Sequence, residues 1–398
     1  MRPAISLILV VVLVRVSDAL SRAPPRIDPE ANYDVIQLIT SKGYPAEQHY
    51  ATTPDGYILG LQRIPYGRGQ TPGPRPVVFL QHGLLCSAAD WVVNLANESF
   101  GFILADAGFD VWLGNVRGNT YSLNHTKLTP KDKEFWLFSF DEHALIDLPT
   151  MLNHALSVSG QSQLFYAGHS QGTVMGFAGF TANKTLASQI NAFIALAPVT
   201  TVKHVEGALA VIAPFYKWFL PALDAIGDGE FLPNSQLLDD LAKYVCPDQV
   251  IDDICENVIF LICGFNKDNI NITRLDVYYS HTPAGTSVQN LVHFSQEVLD
   301  GYFCKYDYGS AEANIAHYGT PTPPSYNVTE LTVPTMLFTG GNDWLADPTD
   351  VAELIPKIKS VTIYDKNIPQ YEHLDFLWGL DAATDVYEEA IAIMKQRL

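Results

Sequence analysis

A serine with a glycine two positions away on either side stands at Gly168-His169-Ser170-Gln171-Gly172, inside LFYAGHSQGTVMG. Leu164 to Ala167 reads as a buried strand and the stretch from Gly172 onward as the start of a helix. A serine at that junction is either turn punctuation or a nucleophile. The strand-to-helix turn is so tight that the flanking positions must lack side chains, and it lifts the hydroxyl clear of the chain. G-x-S-x-G also arises by chance in a glycine-rich sequence, so its place between strand and helix is what gives it weight. A hydroxyl becomes a nucleophile when a base removes its proton and a carboxylate orients the base. His169 is adjacent but faces away across the turn, which makes it a packing residue.

In chains built around such an elbow the order is serine, acid, histidine. His204, His281, His293, His317 and His373 follow Ser170. The first four fall in or near a stretch without strand-helix rhythm, whereas His373, in IPQYEHLDF, follows the last strand and is the expected base. The acid should end the preceding strand. In TMLFTGGNDWLADP that position is Asp343, with Asp347 as the alternative and Asp350 and Asp375 nearby. A tetrahedral intermediate needs two amide donors for its oxyanion. One is the N–H of Gln171, and the other is the Leu84 N–H in the loop Gln81-His82-Gly83-Leu84-Leu85. No H-E-x-x-H, paired C-x-x-C, phosphate loop or dinucleotide fingerprint is present, so neither metal nor cofactor is expected. His143, in FDEHALID, reads as a structural or surface residue.

The elements that must hold these residues follow a regular alternation. A helical pattern covers 33–42, and HYATTPDGYILGLQRIP reads as a hairpin. Short, nearly continuous apolar runs then appear at 77–83, 110–118, 164–170, 190–199, 333–341 and 360–366. Runs of that kind suit a parallel sheet covered on both faces. Between them, Leu145, Leu148, Leu152 and Leu156 recur at helical spacing, and 382–398 is also helical. The pattern predicts an α/β fold with a doubly wound, mostly parallel sheet and its reactive loops at the carboxyl ends of the strands. The alternation stops over 201–325, a Pro-interrupted apolar stretch read as a cap inserted between core segments 20–200 and 326–398.

At 398 residues and 47% hydrophobic content the chain suits one large domain with an insertion, or two domains. A formal charge of −19 argues against a nucleic-acid partner, which requires a basic footprint. Residues 1–19 carry Arg2, an apolar run from Ala4 to Val14 and small residues up to Ala19, which reads as a secretory signal. That run is too short for a membrane span, and prolines interrupt the apolar part of the insertion, so no integral span is expected. Sequons at Asn97, Asn124, Asn183, Asn271 and Asn327 fit a secreted glycoprotein. Five cysteines (Cys86, Cys246, Cys255, Cys263, Cys304) allow at most two disulfides. Cys246 and Cys255 are close enough in sequence for one bridge to close a short loop.

The chain resembles the animal acid lipases, the family of gastric and lysosomal acid lipase. The resemblance runs from about Tyr33 to the C-terminus, through YPAEQHYATTPDGYILGLQRIP, HGLLCSAADWV, ILADAGFDVWLGNVRGNTYS, FWLFSFDEHALIDLP, GHSQGT, HTPAGTS, GGNDWLADP and YEHLDFLW. It implies an α/β-hydrolase core with a cap and a mobile lid, acting usually at acidic pH on ester bonds of neutral lipids at an oil–water interface. It also implies a monomer, in the lysosome or outside the cell. The family's nucleophile falls on Ser170, its acid on Asp343, its base on His373, and its oxyanion amides on Leu84 and Gln171. A family disulfide falls on Cys246 and Cys255, and a free thiol on Cys263. The chain departs from the pattern at Cys86 and Cys304, which have no evident partners.

A triglyceride offers no charge to grip, so its binding must come from buried apolar surface. Phe215, Trp218, Phe219, Leu220 and Leu223 could line a lid, or simply pack the cap. The leading reading is a triacylglycerol or steryl-ester lipase. The alternatives are a carboxylesterase for short or retinyl-type esters on the same machinery, and a lipid-binding protein that keeps the fold without catalysis.

Overall fold

The computed structural model describes residues 28–217, 229–231, 263–264 and 266–398. The expected signal segment, Trp218, Phe219, Leu220, Leu223 and the Cys246–Cys255 pair lie outside those residues. The hairpin forms as read: β1 (Glu47–Thr52) pairs antiparallel with β2 (Tyr57–Ile64) across the Pro54-Asp55-Gly56 turn. The apolar runs become β3 (Val77–Gln81), β4 (Asp110–Gly114), β6 (Leu164–His169), β7 (Ile190–Leu196), β10 (Thr335–Gly340) and β11 (Thr362–Ile368). The short β5 (Asn124–His125) pairs with β2, and β8 (Glu230–Phe231) pairs with β9 (Thr286–Ser287) in a separate ribbon.

The main sheet runs β1-β2-β4-β3-β6-β7-β10-β11, parallel from β4 onward. Every residue of β3, β4, β6 and β10 is buried, as a sheet covered by helices on both faces demands. β11 differs: it is the edge strand, and its side chains alternate between exposed and half-buried until Ile368. The chain goes from β3 to β4 on one side and returns to β6 on the other, so the topology switches between β3 and β6. Ligands of doubly wound sheets bind at such a switch point, outside the carboxyl ends of the strands.

The helix after the FDEHALID motif holds a surprise. Leu148, Leu152 and Leu156 are buried on Leu148–Ser159, but Leu145 is only half-buried. A π-turn at His143–Asp147 precedes that helix and inserts a residue, which slips the phase of the apolar face. Beside it lies a buried cation that the sequence did not reveal. Arg117 is 1% exposed and is held by Asp147 through Nε–H (2.9 Å) and by Asp55 through Nη1–H (2.6 Å), with its guanidinium 4.0 Å from the Tyr57 ring. Its own backbone N–H also donates to Asp147 (3.0 Å), so the chain just past β4 is pinned from both sides.

The described part of the 201–325 stretch contributes no strand to the main sheet and is largely helical, with its longest helix at Val288–Asp300. Glu297 on that helix is buried, and among the described residues neither of its carboxyl oxygens has a partner at hydrogen-bond distance. Burial, with the nearby Asp141 carboxylate, pushes its pKa well above the usual carboxylate range. A carboxyl raised in this way supports folding fully below its unfolded pKa, and that support is lost as pH rises toward the folded value. Glu297→Gln should therefore raise stability by about 1–3 kcal/mol near pH 7. The gain should shrink toward pH 4, where the native carboxyl is neutral in both states. Urea midpoints of both proteins across pH 4 to 7 test this, and a gain independent of pH would contradict it.

Candidate active site

Four loops leave the carboxyl ends of β3, β6, β10 and β11, and each carries one part of the site. At the end of β6 the backbone turns sharply: Ser170 has φ 54° and ψ −119° and caps the helix Gln171–Ala182. Positive φ is uncommon for a residue with a side chain and marks strain held by the surroundings. The surroundings here are specific. Ser170 N–H donates to Leu196 O at 3.1 Å, and its carbonyl accepts from Thr173 N (2.7 Å) and Thr173 Oγ1 (2.6 Å). A Cβ on Gly168 would lie 2.5 Å from the Gly172 carbonyl oxygen, and one on Gly172 would run into the Gln81 carbonyl of β3. Both glycines are thus sterically required, as the motif implies.

His373 and Asp343 meet at the neighbouring loops. The His373 imidazole puts Nδ1 at 2.9 Å from Asp343 Oδ1 and 3.0 Å from Oδ2. Asp343 and His373 are 1% and 2% exposed. Burial alone would raise the Asp343 pKa, but the His373 ring and the Leu345 and Ala346 amides outweigh it and hold the carboxyl below its usual range. The carboxylate therefore stays ionised into acid. His169 does more than pack: its Nε2 donates to the His373 carbonyl (2.9 Å) and its ring lies 4.8 Å from the His373 ring. Burial drops the His169 pKa to about 3, so this tether stays neutral. It ties the His373 loop to the residue next to the serine. No hydrogen bond joins Ser170 Oγ to the His373 ring among the described residues. In a substrate-free site that bond is often long and tightens only with substrate.

The other candidate acids and bases are engaged elsewhere. Asp347 caps the helix Pro348–Ile358 through Thr349 N (2.7 Å), Asp350 accepts from His204 and Thr201, and Asp375 accepts from Glu372 N (2.7 Å). His281 bonds the Glu30 carbonyl, His293 the Cys304 carbonyl, and His317 stacks on Tyr308. His143 is fully buried beside Gln171, so it is structural and not a surface residue.

The loop after β3 is fixed by His82, whose Nδ1 bonds Gly83 O (2.8 Å) and whose Nε2 meets Val116 N (3.3 Å) and Asn119 Nδ2 (3.1 Å). Burial lowers the His82 pKa to about 4. Gly83 lies flush against the Ser170 turn, since a Cβ there would meet Ser170 Cβ at 3.0 Å. Among the described residues neither the Leu84 N–H nor the Gln171 N–H has a hydrogen-bond partner. Donors left open in this way are available to a ligand. Cys86, Cys263 and Cys304 are unbridged, and burial raises the pKa of each thiol. Asn97, Asn124, Asn183 and Asn327 are exposed, while Asn271 is half-buried and accepts from Thr273 Oγ1 (2.7 Å).

Two family models match the chain. One, described as the partial alpha/beta-hydrolase lipase region, covers residues 35–95, and the other, the alpha/beta hydrolase fold, covers residues 76–380. The human protein named lysosomal acid lipase/cholesteryl ester hydrolase is 48% identical over 372 residues, covering 93% of this chain and 92% of its own. The gastric triacylglycerol lipase of Rattus norvegicus is 48% identical over 371 residues, covering 93% of each chain. The chain belongs to the acid lipase family of α/β-hydrolases. As a lipase of that family it is a carboxylic ester hydrolase. Among solved structures, a soluble variant of monoglyceride lipase from Saccharomyces cerevisiae aligns with a TM-score of 0.54 at 15% identity. It covers 92% of this chain and 98% of its own, and supports the α/β-hydrolase fold alone. No helix among the described residues of the lipase is long and apolar enough to cross a membrane.

Proposed function

We propose that the chain is an acid lipase of the secretory route, secreted or lysosomal, that hydrolyses triacylglycerols and steryl esters as a monomer. Ser170 Oγ attacks the ester carbonyl carbon and passes its proton to His373 Nε2, while Asp343 holds Nδ1–H and steadies the imidazolium. The Leu84 and Gln171 N–H groups bind the oxyanion. Collapse of the intermediate breaks the ester C–O bond, and the departing alcohol takes the proton from His373. Water, deprotonated by the same imidazole, then attacks the acyl-serine and releases the fatty acid.

One observation carries the reading: a buried Asp343–His373 pair beside a strained serine turn, in a chain 48% identical to acid lipases over almost its whole length. The sequons at Asn97, Asn124, Asn183, Asn271 and Asn327 and a Cys246–Cys255 bridge fit the same oxidising route. The 201–325 stretch serves as cap and lid, and Phe215 within it is 53% exposed.

The deciding experiment compares specific activity on emulsified long-chain triglyceride, cholesteryl ester and a short-chain ester below and above its solubility. A lipase should show a jump once substrate forms a separate phase. Equal rates on dissolved and emulsified ester, with preference for the short chain, would mean a carboxylesterase on the same machinery.

A further inference from the structure

Residues Thr282 to Asn290 touch both sides of the oxyanion pocket, although they belong to neither loop that forms it. On one side, Ala284 N–H donates to the Leu85 carbonyl at 2.6 Å. Leu85 directly follows the Leu84 amide and has φ 62°, a left-handed conformation that a leucine adopts only when held. The Ala284 carbonyl in turn accepts from Thr120 N–H (2.9 Å) and Thr120 Oγ1 (3.1 Å), which anchors the clamp to the loop after β4.

On the other side, Asn290 Nδ2 donates to the Gln171 side-chain oxygen Oε1 at 2.7 Å and to Thr286 Oγ1 at 3.0 Å. The Gln171 side-chain nitrogen lies 3.3 Å from His143 Nδ1. Asn290 itself has no freedom. It is fully buried in the first turn of Val288–Asp300, its N–H donates to Ser287 Oγ (2.9 Å), and Ser287 Oγ donates to Phe138 O (2.5 Å). Burial keeps His143 neutral, so the cluster carries no charge that varies between acid and neutral pH. The arrangement is costly, because among the described residues Asn290 Oδ1 and His143 Nε2 are buried with no partner at hydrogen-bond distance. An apolar trio of the same shape would fill the space without that cost, so the polar contacts serve orientation more than packing.

Gln171 is the first residue of its helix, where backbone N–H groups have no intrahelical acceptor and their direction is set by the local turn. Fixing its side chain from two elements fixes that amide. We propose that Asn290 is a positioning residue for ester hydrolysis: acting through Gln171 it aims one oxyanion donor, while Ala284, through Leu85, aims the other. The inference rests on the reading of Leu84 and Gln171 as the oxyanion donors.

The test uses Asn290→Ala, Gln171→Ala and the double variant of the full-length protein, with kcat and KM measured on a dissolved short-chain ester. Each single variant should lower kcat about 10- to 100-fold with little change in KM, since a misaimed donor fails only where the charge develops. The double variant should fall no further than the weaker single, because both break one link. Asn290→Asp should recover activity in acid, where a buried carboxyl is protonated and donates to Gln171, and lose it as pH rises. An Asn290→Ala kcat within about twofold of the parent, or losses that multiply in the double variant, would overturn the proposal. If Asn290→Ala does not fold, Gln171→Ala decides alone, since it keeps the amide and the helix. An organophosphorus ester separates the two layers. Failure of the parent to be labelled at Ser170 would sink the catalytic reading. Normal labelling with an unchanged Asn290→Ala kcat would sink only the positioning role.

Discussion

Ser170→Ala should reduce kcat by about 10⁶-fold and leave the unfolding midpoint almost unchanged. The variant removes one oxygen from a residue that is 8% exposed, and alanine keeps the same backbone at φ 54° with the same bonds to Leu196 and Thr173. Whatever strain the elbow stores is therefore common to both proteins. What disappears is the oxygen proposed to form the acyl-enzyme. A small residual rate from the open amides should survive, so the fall stops short of the uncatalysed reaction. Adding His373→Ala to the variant should cost little more, because base and nucleophile act as a unit. Steady-state hydrolysis of one soluble ester by the single and double variants measures this. A Ser170→Ala protein with a tenth of normal activity would move the nucleophile elsewhere.

Asp343→Asn should cost about 10⁴-fold in kcat, and the geometry says why. Asp343 Oδ1 already accepts the Leu345 amide at 2.9 Å and the Ala346 amide at 2.8 Å. In the variant the carboxamide oxygen must keep those two donors, which puts the NH₂ in the place of Oδ2, 3.0 Å from His373 Nδ1. The NH₂ then donates to Nδ1 and moves the ring proton to Nε2, where a base must be empty to take the serine proton. The fold should be intact, since the volume is the same. Rates of Asp343→Asn and Asp347→Asn compared side by side decide the acid. An Asp347→Asn loss of that size, with Asp343→Asn nearly normal, would reverse the assignment.

Much of this site could be read from sequence because its physics is local. The elbow declares itself through Gly168 and Gly172, whose missing side chains make room for the Gly172 carbonyl and the Gln81 carbonyl. The parallel strands declare themselves as unbroken apolar runs because both faces are covered. The acid was less legible. Asp343, Asp347 and Asp350 fall within ten positions after β10, and all have polar partners, so only three-dimensional contact separates the one facing His373 from the two that cap a helix and hold the 201–204 turn. His169 was read as packing, and its tether to the His373 carbonyl joins residues 204 positions apart. The Arg117–Asp147–Asp55 cluster and the Asn290–Gln171–His143 contacts left no trace in the sequence, since single Arg, Asp or Asn residues have no periodicity to report.

By itself, the sequence determined the order of strands and helices, the serine turn and the candidate residues for acyl-transfer chemistry, because hydrophobic period and glycine placement act over a few residues. Tertiary structure decided which carboxylate meets which imidazole, how the edge strand β11 and the π-turn depart from the simple pattern, and what holds the two open amides. The pairing of carboxylate with imidazole joins residues 30 positions apart, and the contacts that hold the two amides join segments more than a hundred apart. Their energy comes from burial and hydrogen bonds that exist only once the sheet has closed.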